Sequence, residues 1–421
     1  MLVDLTTIKY LHLNFAFDIA KRIAFNKQKS FSRFIIRLST AATALSVMAM
    51  IITLSFVNGF QKTISEKVFS FWGHIRVQHF EADKALVAEE SPITKSDSVL
   101  RIIQQQNGVQ RVSVFATKSA VLEKQKEIEG VLFKGIAKNY DSIQLHPFIK
   151  QGRWLRFDDS LYSKEILISV PIANELQLKV NDTLNIYFIS ANGNNSRRKL
   201  LVAGIFKTGI EEYDKLFAIG DIRLIQRIND WQPDQIGGYE VFVNDYKQMD
   251  TINNQLADKL PNVWAGKTIR EVYPNIFDWL NIQDVNRNVI FAVMAIVAII
   301  NLITCLLILV LERTRMIGIF KAVGAADGTI QKIFLYHASL IAVTGIGIGF
   351  TAGIGLCLLQ QYFGFIKLDE ANYYVAIAPI QIIWWQVILI CVVTAVVCFI
   401  SLIIPTLLVR KIKPVKAIEF R

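Results

Sequence analysis

The chain has 421 residues, 52% of them hydrophobic, and a formal net charge of +11. Such a charge can serve nucleic-acid binding, but these cations cluster beside long apolar stretches, where attraction to anionic lipid explains them. We therefore predict membrane lipid, and no nucleic acid, as a partner.

Four apolar stretches exceed the roughly 20 residues that cross a bilayer as a helix. They cover residues 38–60, 289–311, 333–359 and 382–409. Between the first two lie residues 61–273, a stretch of ordinary soluble composition that is long enough for one or two domains. The predicted fold is an α-helical integral membrane protein with four transmembrane helices and a large extracytoplasmic α+β domain inserted between spans one and two.

Lysine and arginine set the predicted orientation, because cytoplasmic flanks carry an excess of them. Seven cations fall in residues 1–37, four in residues 312–332 and five in the tail 410–421. The loop 360–381 contains only Lys367, beside two acids. Both termini are therefore predicted to be cytoplasmic, and the loop 360–381 and the large domain extracytoplasmic.

The flanking segments have recognisable patterns. In residues 1–37 apolar side chains recur at helical spacing, which predicts an amphipathic helix on the inner leaflet, although packing on a partner protein remains open. Pro274 is a good first helical residue, so residues 274–288 are predicted to form a stalk helix that runs into the second span.

Short alternating runs separated by helical stretches predict the α+β character of the domain. Predicted strands are 74–80, 111–116, 165–170, 184–190, 199–206 and 239–243, and predicted helices are 98–106, 171–178, 221–228 and 246–260. Asn192-Gly193 is a strong turn signal, so residues 191–198 are predicted to be the polar tip of a β-hairpin.

Small and polar residues inside the spans predict helix packing. Gly345, Gly349 and Gly353 form a doubled small-xxx-small face, although a hinge or a substrate groove remains open. Asn301 needs a hydrogen-bond partner in hydrocarbon, either another helix or a substrate.

Catalytic motifs are missing from the sequence. There is no G-x-x-x-x-G-K-[ST] loop, no HExxH, no CxxC and no GxSxG. His74 and His79 are a pair at strand spacing that is more typical of structure than of metal binding. We therefore expect no enzyme activity and no cofactor or metal in this chain.

The segment between the second and third spans carries the most informative motif. Residues 313–325 read R-T-R-M-I-G-I-F-K-A-V-G-A, and together with the order of spans and domain they resemble the FtsX/MacB class of ABC-transporter permeases. Several further stretches resemble the lipoprotein-releasing LolC/LolE family within that class: Ser55–Phe60, Gly204-Ile-Phe206 with Glu212-Tyr-Asp214, Asn301 and Pro414–Glu419. The resemblance covers essentially the whole chain.

The resemblance implies that residues 312–332 form a coupling helix seated in a groove of a separate cytoplasmic ABC ATPase, which binds ATP and Mg. The implied docking residues are Arg313, Arg315, Ile317, Gly318, Phe320 and Lys321, with Gly324 and Ala325 as the following turn. The chain departs from the family at Met316, where an acid is frequent, and at Ala326, where Ser is frequent. We expect Asp327 to cap the next helix instead.

The implied function is that of a permease subunit that couples ATP hydrolysis to lipoprotein release from the bacterial inner membrane. Two ATPase copies, a second permease that is identical or homologous, and a lipoprotein are the implied partners. The acyl chains need an apolar cavity, for which Val47, Ile51, Leu54 and Val57 are candidates.

Several alternatives stay open. The protein can be LolC-like or LolE-like, in a homodimer or a heterodimer, and a periplasmic carrier can bind or not bind the short hairpin 191–198. A MacB-like efflux permease or an FtsX-like activator of a periplasmic partner is one rival function. A non-transporting membrane sensor or scaffold is the other.

Overall fold

The computed structural model describes residues 31–81, 91–143, 145–157, 161–189 and 196–406. The N-terminal helix predicted before residue 31, the hairpin tip at 190–195 and the tail after 406 lie outside the described residues. The chain divides into two units, one mainly helical, from Met1–Gln61, Asn281–Lys367 and Ile377–Arg421, and one mainly β, from Lys62–Leu280 and Leu368–Ala376.

Four long helices account for the apolar stretches of the sequence. They are α1 (Phe31–Trp72), α8 (Pro274–Glu312), α10 (Asp327–Phe363) and α12 (Trp384–Thr406). Each is long and apolar enough to cross a membrane. Helix α8 begins at Pro274 and includes the predicted stalk. Helix α10 ends at Phe363 and is capped by Gly364, whose φ of 57° stops the helix.

The helical unit contains two clusters of buried apolar side chains. One joins Ile35 of α1, Leu306 and Leu309 of α8, Phe334 of α10 and Leu402 of α12. The other joins side chains of α1, α10 and α12, with Phe291 and Met294 of α8 packed against it. All four long helices therefore contribute to the core of this unit.

The β unit is built on a ten-stranded sheet. The strands are β1 (Ile75–His79), β3 (Val109–Lys124), β4 (Glu127–Ile136), β5 (Ile149–Gly152), β6 (Glu165–Ser169), β7 (Thr183–Phe188), β8 (Ser196–Phe206), β9 (Phe217–Asp221), β11 (Gly238–Val243) and β12 (Trp264–Thr268). Their order is β12-β1-β11-β3-β4-β9-β6-β8-β5, and β7 pairs with both β3 and β8. Pairs β4–β9 and β6–β8 are parallel, and the remaining pairs are antiparallel.

Short elements complete this unit. Strands β2 (Ile93–Thr94) and β10 (Gln235–Ile236) form a separate pair. The short helices are α2 (Asp97–Gln104), α3 (Val170–Glu175), α4 (Glu211–Leu216), α5 (Ile222–Ile228), α6 (Met249–Ala257) and α7 (Ile269–Val272), followed in the chain by α9 (Thr314–Ala322) and α11 (Glu370–Tyr373). The six predicted strands and four predicted helices all coincide with observed elements, including the hairpin of β7 with β8.

Three buried polar side chains in the sheet have partners. The Lys134 ammonium lies 2.5 Å from Glu240 Oε1, both side chains are fully buried, and the same ammonium donates to the carbonyl oxygen of Phe71 near the end of α1. His74 accepts a hydrogen bond from the Val243 N–H at Nδ1. Burial, with Arg111 nearby, lowers the pKa of His74 from 6.5 to about 4, so His74 is neutral in the fold.

Candidate functional site: the segment between α8 and α10

Helix α9 is a separate short helix between two long ones. Arg313, with φ −102° and ψ 18°, interrupts the helix after Glu312, and α9 follows from Thr314 to Ala322. Gly324 then adopts a φ of 93°, which glycine tolerates without steric cost, and the Ala325 N–H bonds back to the Phe320 carbonyl oxygen at 2.9 Å. The predicted helix and turn are both present at these residues.

One face of α9 packs on its own helical unit. Ile317 is fully buried in the cluster that includes Leu309, Ile330 and Phe334, and Gly318 is buried as well. Phe320 and Met316 are half-buried against the same cluster. Ile317 and Gly318, two of the predicted docking residues, thus lie on the inward side of α9, and their contact with an ATPase stays a prediction.

The opposite face of α9 is exposed. Arg315 is exposed, and so are Ile319 and Val323, at 48% and 83% of their surface. These three residues recur every four positions, so they share one helix face. The sequence alone does not show that Ile319 and Val323 face outward, because apolar residues occur on both sides of α9 and the choice of the inward side depends on the surrounding core.

The cations of the segment have different environments. Lys321 Nζ lies 2.9 Å from Asp327 Oδ1, so Asp327 pairs with Lys321. The expected cap at Asp327 is wrong, since Ala326 occupies the N-cap position of α10 and no side chain caps it. Arg313 is half-buried, which leaves Arg315 as the exposed cation on the outer face of α9.

Helix α10 lays its glycine stripe against α1. A Cβ added at Gly349 would lie 2.5 Å from the Ala44 carbonyl oxygen, and one at Gly345 would lie 2.9 Å from Thr43 Cβ. At Gly353 the corresponding contact is Ile51 Cβ at 3.2 Å. The stripe allows two helix backbones to approach closely.

The four candidate cavity residues lie in this packed region. Val47, Ile51, Leu54 and Val57 have at most 5% of their surface exposed. Within one chain they therefore form core. An apolar cavity of about 300 Å³ lies elsewhere in the helical unit, between α1, α8 and α12, and Met50, Phe291, Ala295 and Val393 are among its lining residues.

Asn301 lies on α8 beside α1. The Ser39 hydroxyl is 3.5 Å from the backbone carbonyl oxygen of Asn301, so the polar contact between these helices involves the main chain of Asn301.

Comparison with known protein families decides the assignment. The MacB-like periplasmic core domain family matches residues 38–259, slightly more than half of the chain, and the FtsX-like permease C-terminal family matches residues 288–414. The chain belongs to the FtsX/MacB family of ABC-transporter permeases. Helix α9 occupies the position that the resemblance assigned to the coupling helix, and the permease itself is a non-catalytic subunit.

Curated relatives match over nearly the full length of the chain. The lipoprotein-releasing system transmembrane protein LolE of Haemophilus influenzae is 23% identical over 97% of this chain and 100% of its own length. The protein named LolC of Neisseria meningitidis serogroup B is 22% identical over 94% of this chain and 96% of its length. LolC of Haemophilus influenzae is 21% identical over 97% of this chain and 100% of its own length.

Two solved structures are similar in part. The extracellular domain of the noncanonic ABC-type transporter YknZ from Gram-positive bacteria covers 46% of this chain and 99% of that domain, at 14% identity and a TM-score of 0.32. The periplasmic region of MacB from Actinobacillus actinomycetemcomitans matches over 48% of this chain and 91% of that region, at 13% identity and a TM-score of 0.33. At these scores neither structure supports a further conclusion.

Proposed function

We propose that this permease releases lipoproteins from a bacterial inner membrane, using ATP hydrolysis by two copies of a separate cytoplasmic ABC ATPase. The similarity to proteins named for lipoprotein release, over nearly the full length of both chains, carries this proposal. The distribution of lysine and arginine supports cytoplasmic termini, a cytoplasmic α9 and an extracytoplasmic β unit.

The outer face of α9 supports ATPase docking. Ile319 and Val323 are exposed apolar side chains on a helix too short to be stable alone, and Arg315 adds a cation that can pair with an acidic rim. We assign direct contact to Arg315, Ile319 and Val323. Ile317 and Gly318 act behind them by fixing the helix to the core.

The packing of Ile317 offers a route for motion. Ile317 lies in one cluster with Leu309 of α8 and Phe334 of α10. Close-packed side chains deform little, so a shift of α9 moves both long helices together. ATP-driven displacement of α9 would thereby reach α8 and α10, and through the same cluster α1 and α12, without any covalent chemistry in this chain.

The acyl chains of the lipoprotein need an apolar environment. Since Val47 and Ile51 are covered within one chain, we assign the contact of an acyl chain to the cavity that contains Met50, Ala295 and Val393. Its volume of about 300 Å³ is at the lower end of the range of small-ligand pockets. A second permease, identical or homologous, would enlarge this environment.

Copurification tests the docking assignment. An affinity-tagged permease, extracted in mild detergent, should retain an ABC ATPase, and mass spectrometry should also identify an acylated protein. Ile319→Asp should abolish ATPase recovery because it places a carboxylate in an apolar contact. Val263→Asp, which changes an equally exposed side chain of the β unit (52% against 48%), is the matched control and should retain the ATPase. Equal recovery with both variants would exclude docking at Ile319.

A further inference from the structure

The linker between α10 and α12, residues 364–383, has an ordered structure of its own, and ATPase docking at α9 does not require it. Its two arms are joined to each other, since the Ala378 N–H bonds to the Ile366 carbonyl oxygen at 3.0 Å and the Leu368 N–H to that of Ala376 at 2.9 Å. The linker is therefore a loop whose two arms are paired. Ordering such a loop costs conformational entropy, which contacts with the rest of the chain must offset.

The Ser55–Phe60 motif holds the second arm of the linker in the helical unit. The Gln381 N–H donates to the Ser55 carbonyl oxygen at 2.9 Å. Just beyond the linker, in α12, Gln386 Oε1 accepts a hydrogen bond from Asn58 Nδ2 at 2.7 Å. Any Cβ at Gly59 would overlap the Pro379 backbone. Glycine at this position thus allows α1 to lie directly against the linker.

The tip of the linker, residues 368–376, is held in the β unit. Lys67 Nζ donates to the Tyr374 carbonyl oxygen at 2.6 Å, and Lys207 forms an ion pair with Glu370. The Trp279 ring packs edge-on against the Tyr374 ring, with centroids 6.0 Å apart. Contacts from α1, the loop after β8 and the start of α8 therefore converge on nine residues of the linker.

The Glu212-Tyr-Asp214 motif shapes the loop that receives this tip. Buried Asp214 accepts hydrogen bonds from the Thr208 N–H and hydroxyl and from the Gly209 N–H, at 2.8–2.9 Å. A Cβ at Gly209 would lie 2.6 Å from Glu370 Oε1 and from Lys67 Nζ.

We infer that residues 364–383 form a strap whose contacts, including the Lys207–Glu370 ion pair, persist during transport. The strap passes movement of α10 and α12 to the β unit. Ser55 and Gly59 hold one part of the strap, and Lys67 and Lys207 hold the other, beside the loop that Asp214 shapes. The direction of this movement, from the ATPase through α10 and α12 to the β unit, rests on the proposed function. Two sequence motifs that are distant in the chain thereby acquire one shared role.

Charge reversal tests the strap in the permease reconstituted with its ATPase. The vesicles contain phosphatidylethanolamine, phosphatidylglycerol and an N-acylated lipoprotein. Lys207→Glu and Glu370→Lys should each leave ATP hydrolysis unchanged and lower release about tenfold, the effect of losing one charge-assisted contact. The double variant should recover most of the release. Wild-type release by both single variants, or equal losses of hydrolysis and release, would overturn the strap.

A second readout does not depend on the cargo. An environment-sensitive fluorophore on Lys126→Cys, in the exposed turn between β3 and β4, should report an ATP-driven change in the β unit. The single charge-reversal variants should lose that signal while hydrolysis continues. An unchanged signal would overturn the strap even if no lipoprotein were released, and absent release with an intact strap response would count against the proposed function alone.

Crosslinking distinguishes a fixed strap from a gate. Lys207→Cys with Glu370→Cys, in a background without the four native cysteines, can be joined by a short bifunctional thiol reagent. The untreated double variant lacks the ion pair and should release about as slowly as the single charge-reversal variants, and crosslinking should restore most of the release. A block of release that reducing the reagent reverses would show that this contact opens during the cycle and would overturn the proposal.

Discussion

Replacing Gly349 by alanine is expected to destabilise the helix bundle, although alanine is the better helix former. The new methyl group would lie 2.5 Å from the Ala44 carbonyl oxygen and 2.9 Å from Val47 Cβ. The first neighbour is backbone and cannot move without shifting α1. Gly347, two residues earlier on the same helix, is the matched control, because a methyl group added there would have no neighbour within 4 Å among the described residues.

The two substitutions should differ in sign. Overpacking of a filled interface costs about 1–3 kcal/mol. Gly347→Ala avoids that cost and should gain about 0.5–1 kcal/mol from the lower backbone entropy of alanine in the unfolded chain. The two variants should thus be separated by about 1.5–4 kcal/mol, which corresponds to roughly 3–16 °C in the unfolding midpoint of a unit of this size.

Thermal unfolding of the detergent-solubilised permease measures this difference. The fraction that elutes as a folded monomer or dimer after heating gives a midpoint for each variant. Gly349→Ala should be lower than wild type and Gly347→Ala equal or higher. Equal midpoints for the two variants would refute close contact between α1 and the glycine stripe of α10.

The other predictions concern the β unit and the orientation of the chain. His74 has a pKa of 6.5 in the unfolded chain and about 4 in the fold. Its contribution to stability is therefore fully present above pH 6.5, and the free energy of unfolding should fall by up to about 3 kcal/mol as the pH is lowered from 6.5 to 4. In thermal melts His74→Asn should lack this pH-dependent loss. Lys134→Met should cost about 3–5 kcal/mol by leaving Glu240 buried without its cation, and adding Glu240→Leu should recover most of the loss; no recovery in the melting temperature would contradict the pairing. An impermeant thiol reagent added outside should label Lys126→Cys and spare Ala326→Cys, and the reverse labelling would invert the orientation.

Much of the architecture was predictable because the sequence signals are local. Apolar stretches long enough for a bilayer, Pro274 at a helix start and Asn192-Gly193 between two alternating runs each reflect short-range rules. The predicted strands and helices of the β unit coincide with observed ones for the same reason. Strands β4, β5, β9 and β12 of the ten-stranded sheet were not predicted, since the parallel pairing of β4 with β9 and the edge positions of β5 and β12 depend on distant pairing.

The details of the candidate site were less accessible. Ile317 and Ile319 have the same chemistry and lie two positions apart, so composition cannot tell which one faces the core. The orientation follows from Leu309 and Phe334, which fill the space behind Ile317. The role of Asn58 and Gly59 was hidden for a similar reason, because their contacts are more than 300 residues away in the chain.

ATP-dependent release of an acylated lipoprotein from reconstituted vesicles tests the central claim most directly. Vesicles with the permease, its copurified ATPase and a second permease where one is found should release the lipoprotein to a soluble acceptor when ATP and Mg are added. Ile319→Asp should prevent release, and Val263→Asp should release at the wild-type rate. Equal release with and without ATP, or wild-type release by Ile319→Asp, would contradict the account.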